Sequence, residues 1–290
     1  MDNKIVICTA SRSERGLSAP LVEELGKRFK VEVLELPISF KGAFDAAEEF
    51  VRARGKPDLA FCNYDRVEML GAALAFYLNG VKIAQYHAGD LSGSGECLDD
   101  FVRYMITLTS TFQFCNGEKA FRRCLEFLKL VGKPTDKCFE VGSLAFDNYK
   151  PDYSLVPPCE YDLVVYNPLT GKPELIEKEL SQIEGLIERF TVWIEPNEDP
   201  YREIIVERAK RLEAEGKVKF LNTVERQQFL ALMEKAERVI GNSSAFFLEL
   251  PYFGKNHIHI GERNKYRERI IVKPGASRRI AEILEKLLEL

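Results

Sequence analysis

The chain has 290 residues, 46% hydrophobic and 30% charged, with 11% aromatics and a formal net charge of −4, a composition that excludes a disordered chain. Its 41 Lys+Arg against 45 Asp+Glu lack the basic excess of a general nucleic-acid binder, and no apolar run approaches the roughly 18 residues of a membrane helix. Met1-Asp2-Asn3-Lys4 runs straight into a strand-like stretch without a leader, so the expectation is a soluble cytoplasmic protein with about two domains.

In chain order, residues 4–9 read as a strand, 17–29 as a helix, 31–36 as a strand, 43–53 as a helix and 59–63 as a strand. A helix over 67–79, a strand over 81–86 and a polar loop follow, then helices over 98–109 and 119–131 with strands over 112–115 and 138–141. Residues 147–162, with Pro151, Pro157 and Pro158, read as a linker. The alternation restarts with strands over 163–166, 191–195, 218–221, 238–241 and 257–260, and helices over 173–189, 200–215, 224–236 and 243–252. Ile280, Ile283, Leu284, Leu287 and Leu288 give a terminal helix over 277–290 one apolar stripe. The pattern predicts an α/β protein of two Rossmann-like, doubly wound domains, residues 1–150 and 151–290, with a ligand cleft between them.

Seven widely spaced cysteines (Cys8, Cys62, Cys97, Cys115, Cys124, Cys138, Cys159) contain no C-x-x-C pair. They read as small buried hydrophobes, with neither a disulfide framework nor a zinc ribbon indicated. His87, His257 and His259 are the three histidines, too few to supply a Ser-His-Asp or His-rich metal mechanism, so no metal is expected.

Four polar clusters follow strands. Ala10-Ser11-Arg12-Ser13-Glu14-Arg15-Gly16 is either a solvated loop or a site for an anion at Arg12. Asp65 and Glu68, three apart, could split acid and base roles, or Asp65 could simply cap a helix. The Gly-rich stretch from His87 through Asp90 to Asp99, Asp100 and Arg103 concentrates titratable groups after a buried strand. Gly241-Asn242-Ser243-Ser244 opens a predicted helix, where Ser243 and Ser244 form a phosphate cradle or a cap; Glu249 then suits ribose hydroxyls. Arg263, Arg267 and Arg269 form a phosphate clamp or a solvated edge.

In order, these motifs resemble the UDP-N-acetylglucosamine 2-epimerase family, especially its hydrolysing branch. Ser11-Arg12-Ser13-Glu14 is similar to the family's G-T-R-A-E/D loop, and Asp65-Arg66-Val67-Glu68-Met69-Leu70 to G-D-R-x-E-M-L. His87-Ala88-Gly89-Asp90 is similar to H-G-G-E, Asp99-Asp100-Phe101-Val102-Arg103 to D-D-S-I-R, and Val141–Asn148 to V-G-x-x-x-x-D-N. Gly241-Asn242-Ser243-Ser244 with Glu249 resembles G-N-S-S-x-x-x-x-E, and Gly261-x-Arg263 with Arg267 and Arg269 resembles G-x-R-Q-x-G-R-x-R. The chain departs from the pattern at three places. Asn167-Pro168-Leu169-Thr170 stands for His-Pro-x-Thr, Tyr104 for a histidine, and Tyr64 for a glycine, where it would crowd the sugar.

The resemblance implies a GT-B-like fold whose last helix packs back on the first domain, and a homodimer acting on a UDP-sugar without a cofactor. It implies proton transfer by Asp65, Glu68, His87, Asp90 and Asp100. Arg12, Arg66, Arg103, Asn167, Thr170, Ser243, Ser244, Glu249, Arg263 and Arg267 would bind the substrate. Its hydrolysing chemistry eliminates UDP and adds water, giving an N-acetylmannosamine-type sugar. A GT-B glycosyltransferase, a non-hydrolysing epimerase and a catalytically retired nucleotide-sugar binder remain alternatives.

Overall fold

The computed structural model describes residues 3–92, 98–169 and 172–288, with the backbone alone for residues 12 and 13. Two units emerge. Among the described residues, the first comprises 3–91, 98–148 and 272–288, and the second 92, 149–169 and 172–271.

In the first unit the order is β1 (Lys4–Thr9), α1 (Arg12–Gly26), β2 (Lys30–Glu35), α2 (Phe40–Arg54), β3 (Leu59–Phe61), α3 (Val67–Leu78), β4 (Lys82–Tyr86), α4 (Leu98–Thr109), β5 (Phe112–Cys115), α5 (Glu118–Leu130) and β6 (Cys138–Glu140). The strands pair in parallel as β2-β1-β3-β4-β5-β6. Alternation along β1 divides the core: Ile5 and Ile7 face one apolar cluster, Val6 and Cys8 the other. The chain reverses direction across the sheet at β1 and β3, the switch point where such sheets bind ligands.

The second unit runs β7 (Asp162–Val165), α6 (Ile176–Gly185), β8 (Thr191–Ile194), α7 (Arg202–Ala214), β9 (Val218–Leu221), α8 (Arg226–Lys235), β10 (Arg238–Gly241), α9 (Ala245–Leu248) and β11 (Ile258–His259). Its parallel order is β11-β10-β7-β8-β9, with the switch point between β7 and β10. Gly241 is required there. Its φ is 133°, and a Cβ would lie 2.1 Å from the Val165 carbonyl oxygen.

The final helix, α10 (Ala276–Leu288), belongs to the first unit. Ala276, Ile280, Ala281 and Leu284 are fully buried in the cluster containing Ile5, Ile7 and Phe114, and Ile280 and Leu284 each contribute about 1.5–3 kcal/mol by burial. The Val141–Asn148 segment holds this return. Gly142 (φ 83°) lies against the Lys273 carbonyl, Ser143 N–H donates to that oxygen at 2.9 Å, and Asp147 Oδ2 accepts from Ser277 N–H at 2.6 Å.

Three helices depart most from their sequence pattern, and the first, expected over 17–29, is α1, which begins five residues earlier at Arg12. The helix expected over 173–189 opens as a 3₁₀ turn, Pro173–Leu175, before α6. The one expected over 243–252 is a single α turn, α9, followed by the 3₁₀ turn Leu250–Phe253, because Pro251 cannot continue an α hydrogen-bond ladder.

Candidate active site

At the carboxyl end of β1 the expected loop is a helix start. Ser11 caps α1: its Oγ accepts from Glu14 N–H at 3.3 Å, while Glu14 Oε2 accepts from the N–H groups of Ala10 and Ser11 at 2.9 Å each. This is a capping box, and its Ser-x-x-Glu spacing was visible in the sequence. Glu14 is buried, which pushes its carboxyl above the ordinary value despite the opposing Ser11 and Ala10 N–H groups. Among the described residues its Oε1 has no hydrogen-bond partner.

After β3, Asn63 Oδ1 accepts from Tyr86 N–H at 3.0 Å and ties the ends of β3 and β4 together. The next residue on each strand, Tyr64 (φ 68°) and His87 (φ 70°), is left-handed. Each costs roughly 1–3 kcal/mol in a side-chain-bearing residue. Ring packing offsets this: Tyr64 lies edge-on to Tyr86 and to His87, with centroids 6.1 and 5.2 Å apart. The Tyr64 ring, expected to crowd the sugar, is buried in the core with Ile5, Phe61 and Tyr86.

Asp65 does not cap α3. Arg66 occupies that N-cap and makes no side-chain cap bond. Asp65 instead accepts from Arg103, which reaches over from α4 and is 1% exposed. Arg103 also donates to the Asp90 main-chain oxygen at 2.5 Å and to Asp100 Oδ1 at 3.2 Å, with Asp90 Oδ2 4.0 Å away. Burial alone would weaken its charge, but Asp65, Asp90, Asp100 and Asp99 outweigh that and hold the guanidinium well above its usual range. Gln85 Nε2 donates to the Arg103 carbonyl at 2.9 Å and fixes this turn of α4. His87 Nδ1 lies 3.8 Å from Asp90 Oδ2. Glu68, also buried, accepts from Arg66 at 3.1 Å through Oε1. The structure thus gathers Asp65, Asp90, Asp100 and Arg103, sets His87 beside Asp90, and pairs Glu68 with Arg66.

Several polar atoms at this end of the sheet lack hydrogen-bond partners among the described residues: Thr9 Oγ1, Glu14 Oε1, Asn63 Nδ2, Glu68 Oε2 and both amide atoms of Asn116. Each buried, unsatisfied group costs about 1–3 kcal/mol. Their collection after β1, β3 and β5 fits a ligand rich in hydroxyls that supplies the missing bonds. Glu14, Asn63 and Asn116 were not singled out from the sequence; the available signal was a polar residue directly after an apolar strand.

The second unit is latched by amides. Asn242, fully buried, accepts from Asn167 N–H and donates to the Asn167 carbonyl, both at 2.8 Å. Asn167 Oδ1 accepts from Asn197 N–H at 2.8 Å. Asn264 (φ 58°) donates to the Asn242 carbonyl at 2.9 Å and accepts from Arg267 at 2.9 Å. Arg263 donates to the Pro168 carbonyl at 2.7 Å and to Asp199 at 3.0 Å.

Ser243 Oγ accepts from Ala245 N–H at 3.3 Å, while Ser244 is the N-cap of α9 without a side-chain cap bond. The short α9 leaves this turn little macrodipole, so any anion there would be held chiefly by N–H groups, hydroxyls and arginines. Glu249 is buried and accepts from Arg226 at 2.8 Å. Thr170 and the Arg12 side chain lie outside the described residues.

Among the described residues no helix is long and apolar enough to cross a membrane. A family model described as UDP-N-acetylglucosamine 2-epimerase matches residues 45–290. The chain is 25% identical over 230 residues to the UDP-N,N'-diacetylbacillosamine 2-epimerase (hydrolyzing) of Legionella pneumophila, covering 73% of this chain and 58% of that protein. It is 28% identical over 252 residues to the GDP/UDP-N,N'-diacetylbacillosamine 2-epimerase (hydrolyzing) of Campylobacter jejuni, covering 81% of this chain and 62% of that one. It thus spans about three fifths of these curated relatives. Among solved structures, the S. aureus MnaA–UDP co-structure superposes with a TM-score of 0.77 at 17% identity, covering 99% of this chain and 97% of the other. At that identity the likeness establishes the fold: two Rossmann-like domains of the GT-B type.

Proposed function

The chain belongs to the UDP-N-acetylglucosamine 2-epimerase family, and from that premise we propose that it is a hydrolysing 2-epimerase of a UDP-linked 2-acetamido sugar. A base removes the proton at carbon 2 while UDP departs from carbon 1. Water then adds to the resulting glycal, releasing the 2-epimeric free sugar. The carbon-2 proton is weakly acidic, so the base must be held close and the departing diphosphate stabilised.

The observation that carries this reading is the Asp65–Asp90–Asp100 group fixed around buried Arg103 at the carboxyl end of the first sheet. Arg103 organises the carboxylates. Asp65 and Asp90 are the proton-transfer candidates, with His87 beside Asp90 as a second carrier and Asp100 as a holder of Arg103. Arg66 orients Glu68, whose remaining oxygen suits a sugar hydroxyl. In the second unit, Ser243, Ser244, Arg263 and Arg267 would hold the diphosphate and Glu249 the ribose, with Asn167 setting the loop; Arg12 and Thr170 complete the substrate set. The named chemistry of the relatives supports the hydrolysing outcome and a diacetylated sugar as an alternative substrate.

We also propose a cytoplasmic homodimer. On α4, Leu98, Phe101, Met105 and Leu108 are 40–56% exposed at helical spacing, an apolar stripe on one face.

The test is incubation with UDP-N-acetylglucosamine and, separately, UDP-N,N'-diacetylbacillosamine, with products followed by NMR. UDP plus a free 2-epimeric sugar supports the reading. A UDP-linked epimer would make the enzyme non-hydrolysing. UDP binding with no turnover of either would make it a binder.

A further inference from the structure

A separate group of side chains lies beneath the loop that carries His87 and Asp90. β5 and β6 pair with Phe114 opposite Phe139, so alternation puts Cys115 and Cys138 on the same face. α5 packs on these strands and buries Ala120, Cys124 and Leu128, one residue per turn. The three sulfurs meet. Cys115, Cys124 and Cys138 Sγ all lie within 4.8 Å of one another, with Cys115 and Cys138 3.8 Å apart. Cys115 and Cys124 are fully buried and Cys138 is 6% exposed, within an apolar cluster that includes Ala88, Ala120 and Leu128.

Three thiolates bound to one metal at about 2.3 Å would be about 4 Å apart in a trigonal arrangement. The sulfurs are therefore close to ligating positions before any metal arrives. Structural zinc takes four ligands, and among the described residues no fourth Cys, His, Asp or Glu joins this group. Soft thiolates select Cu(I), and the three cysteines lie within an apolar cluster.

We propose that Cys115, Cys124 and Cys138 form a three-thiolate site for a soft monovalent metal ion, of which Cu(I) is the type. Binding replaces the thiol protons by metal–sulfur bonds and releases those protons to solvent, with no change of oxidation state. Cys138, the least buried of the three, marks the side of entry. The bound ion would also stiffen the support of the neighbouring loop. A Cβ on Gly89 would lie 2.9 Å from Cys124 Cβ, and Arg123 on α5 donates to the Gly89 carbonyl at 2.9 Å.

The test uses the reduced 290-residue chain, with Cys97→Ser and Cys159→Ser, under anaerobic conditions. Cu(I) is titrated against a chromophoric Cu(I) chelator, and retained copper is measured by mass spectrometry. The expected result is about one equivalent per chain and a raised Tm, since a ligand of the native state stabilises it. Cys124→Ala and Cys138→Ala should each weaken retention by more than the roughly 100-fold that loss of an outer-sphere hydrogen bond costs. Cys8→Ala, which changes a thiol in the other core cluster, should leave it unchanged. Failure of the parent chain to hold copper overturns the proposal, as does equal loss on Cys8→Ala. If the Cys124 and Cys138 variants fail to fold by circular dichroism, the parent chain's Tm decides: no rise on adding Cu(I) overturns the site.

Discussion

The carboxyl ends of the two sheets solve the same problem with different chemistry. In the first unit a buried arginine is ringed by Asp65, Asp90 and Asp100. In the second, Asn167, Asn242 and Asn264 form a neutral chain of amide hydrogen bonds. A buried charge is stable only while its partners are present, and removing one partner strands the others. A neutral amide network gives shape without that liability, and without groups that exchange protons near neutral pH. Under the proposed function, proton transfer falls to the first unit and ligand positioning to the second.

The largest effect should fall on turnover. Asp65→Asn keeps the volume but removes a proton acceptor, and should lower the rate of UDP release by roughly 10²–10⁴-fold, about 3–5 kcal/mol of barrier. Because Asp65 is an Arg103 partner and not a helix cap, the variant should also lose some stability, so rates are compared at equal folded fraction. An unchanged rate would take catalysis away from the charged knot.

Next in size is Arg103→Met. Losing the cation leaves Asp65, Asp90 and Asp100 together in a buried site, and should cost about 3–5 kcal/mol at neutral pH by urea unfolding. An unchanged unfolding free energy would mean that the knot is held by packing.

Asn242→Ala probes the neutral network. It unpairs Asn167 N–H and the Asn167 carbonyl in a buried turn, and should cost about 1–3 kcal/mol. The cost should be smaller than that of Arg103→Met, and an equal or larger loss would mean that the amides hold more than this turn.

The smallest effects concern pH, with opposite signs in the two units. Burial raises the Glu14 carboxyl above 4.5. Its contribution to stability is thus full below that value and is lost as pH rises through the folded-state value. In the second unit, burial first, then His259 and Arg269, lower His257 from 6.5 to about 4. Its contribution is present above 6.5 and lost as pH falls toward 4. Glu14→Gln should therefore raise the Tm more at pH 7 than at pH 4, and His257→Gln should lessen the second unit's loss of stability in acid. Calorimetry from pH 4 to pH 7 checks both, and a reversed sign at either residue would mean that its burial is misread.

The sequence alone determined the alternation of strand and helix, because apolar periodicity follows directly from which faces must be buried. It also located the polar clusters after strands, since a ligand-binding edge requires polar residues where an apolar run stops. The Ser11–Glu14 capping box could have been read from the same local spacing. What local spacing could not supply was pairing between distant residues. Asp65 reads equally well as a cap or an acid, and only its approach to Arg103, 38 positions away, shows that it caps nothing. Tyr64 reads as an obstruction to the sugar until its left-handed backbone is seen turning the ring into the core. Cys115, Cys124 and Cys138 look like unrelated buried hydrophobes along the chain. Their sulfurs converge because one helix crosses two paired strands, and a contact made by packing leaves no periodic trace in the sequence.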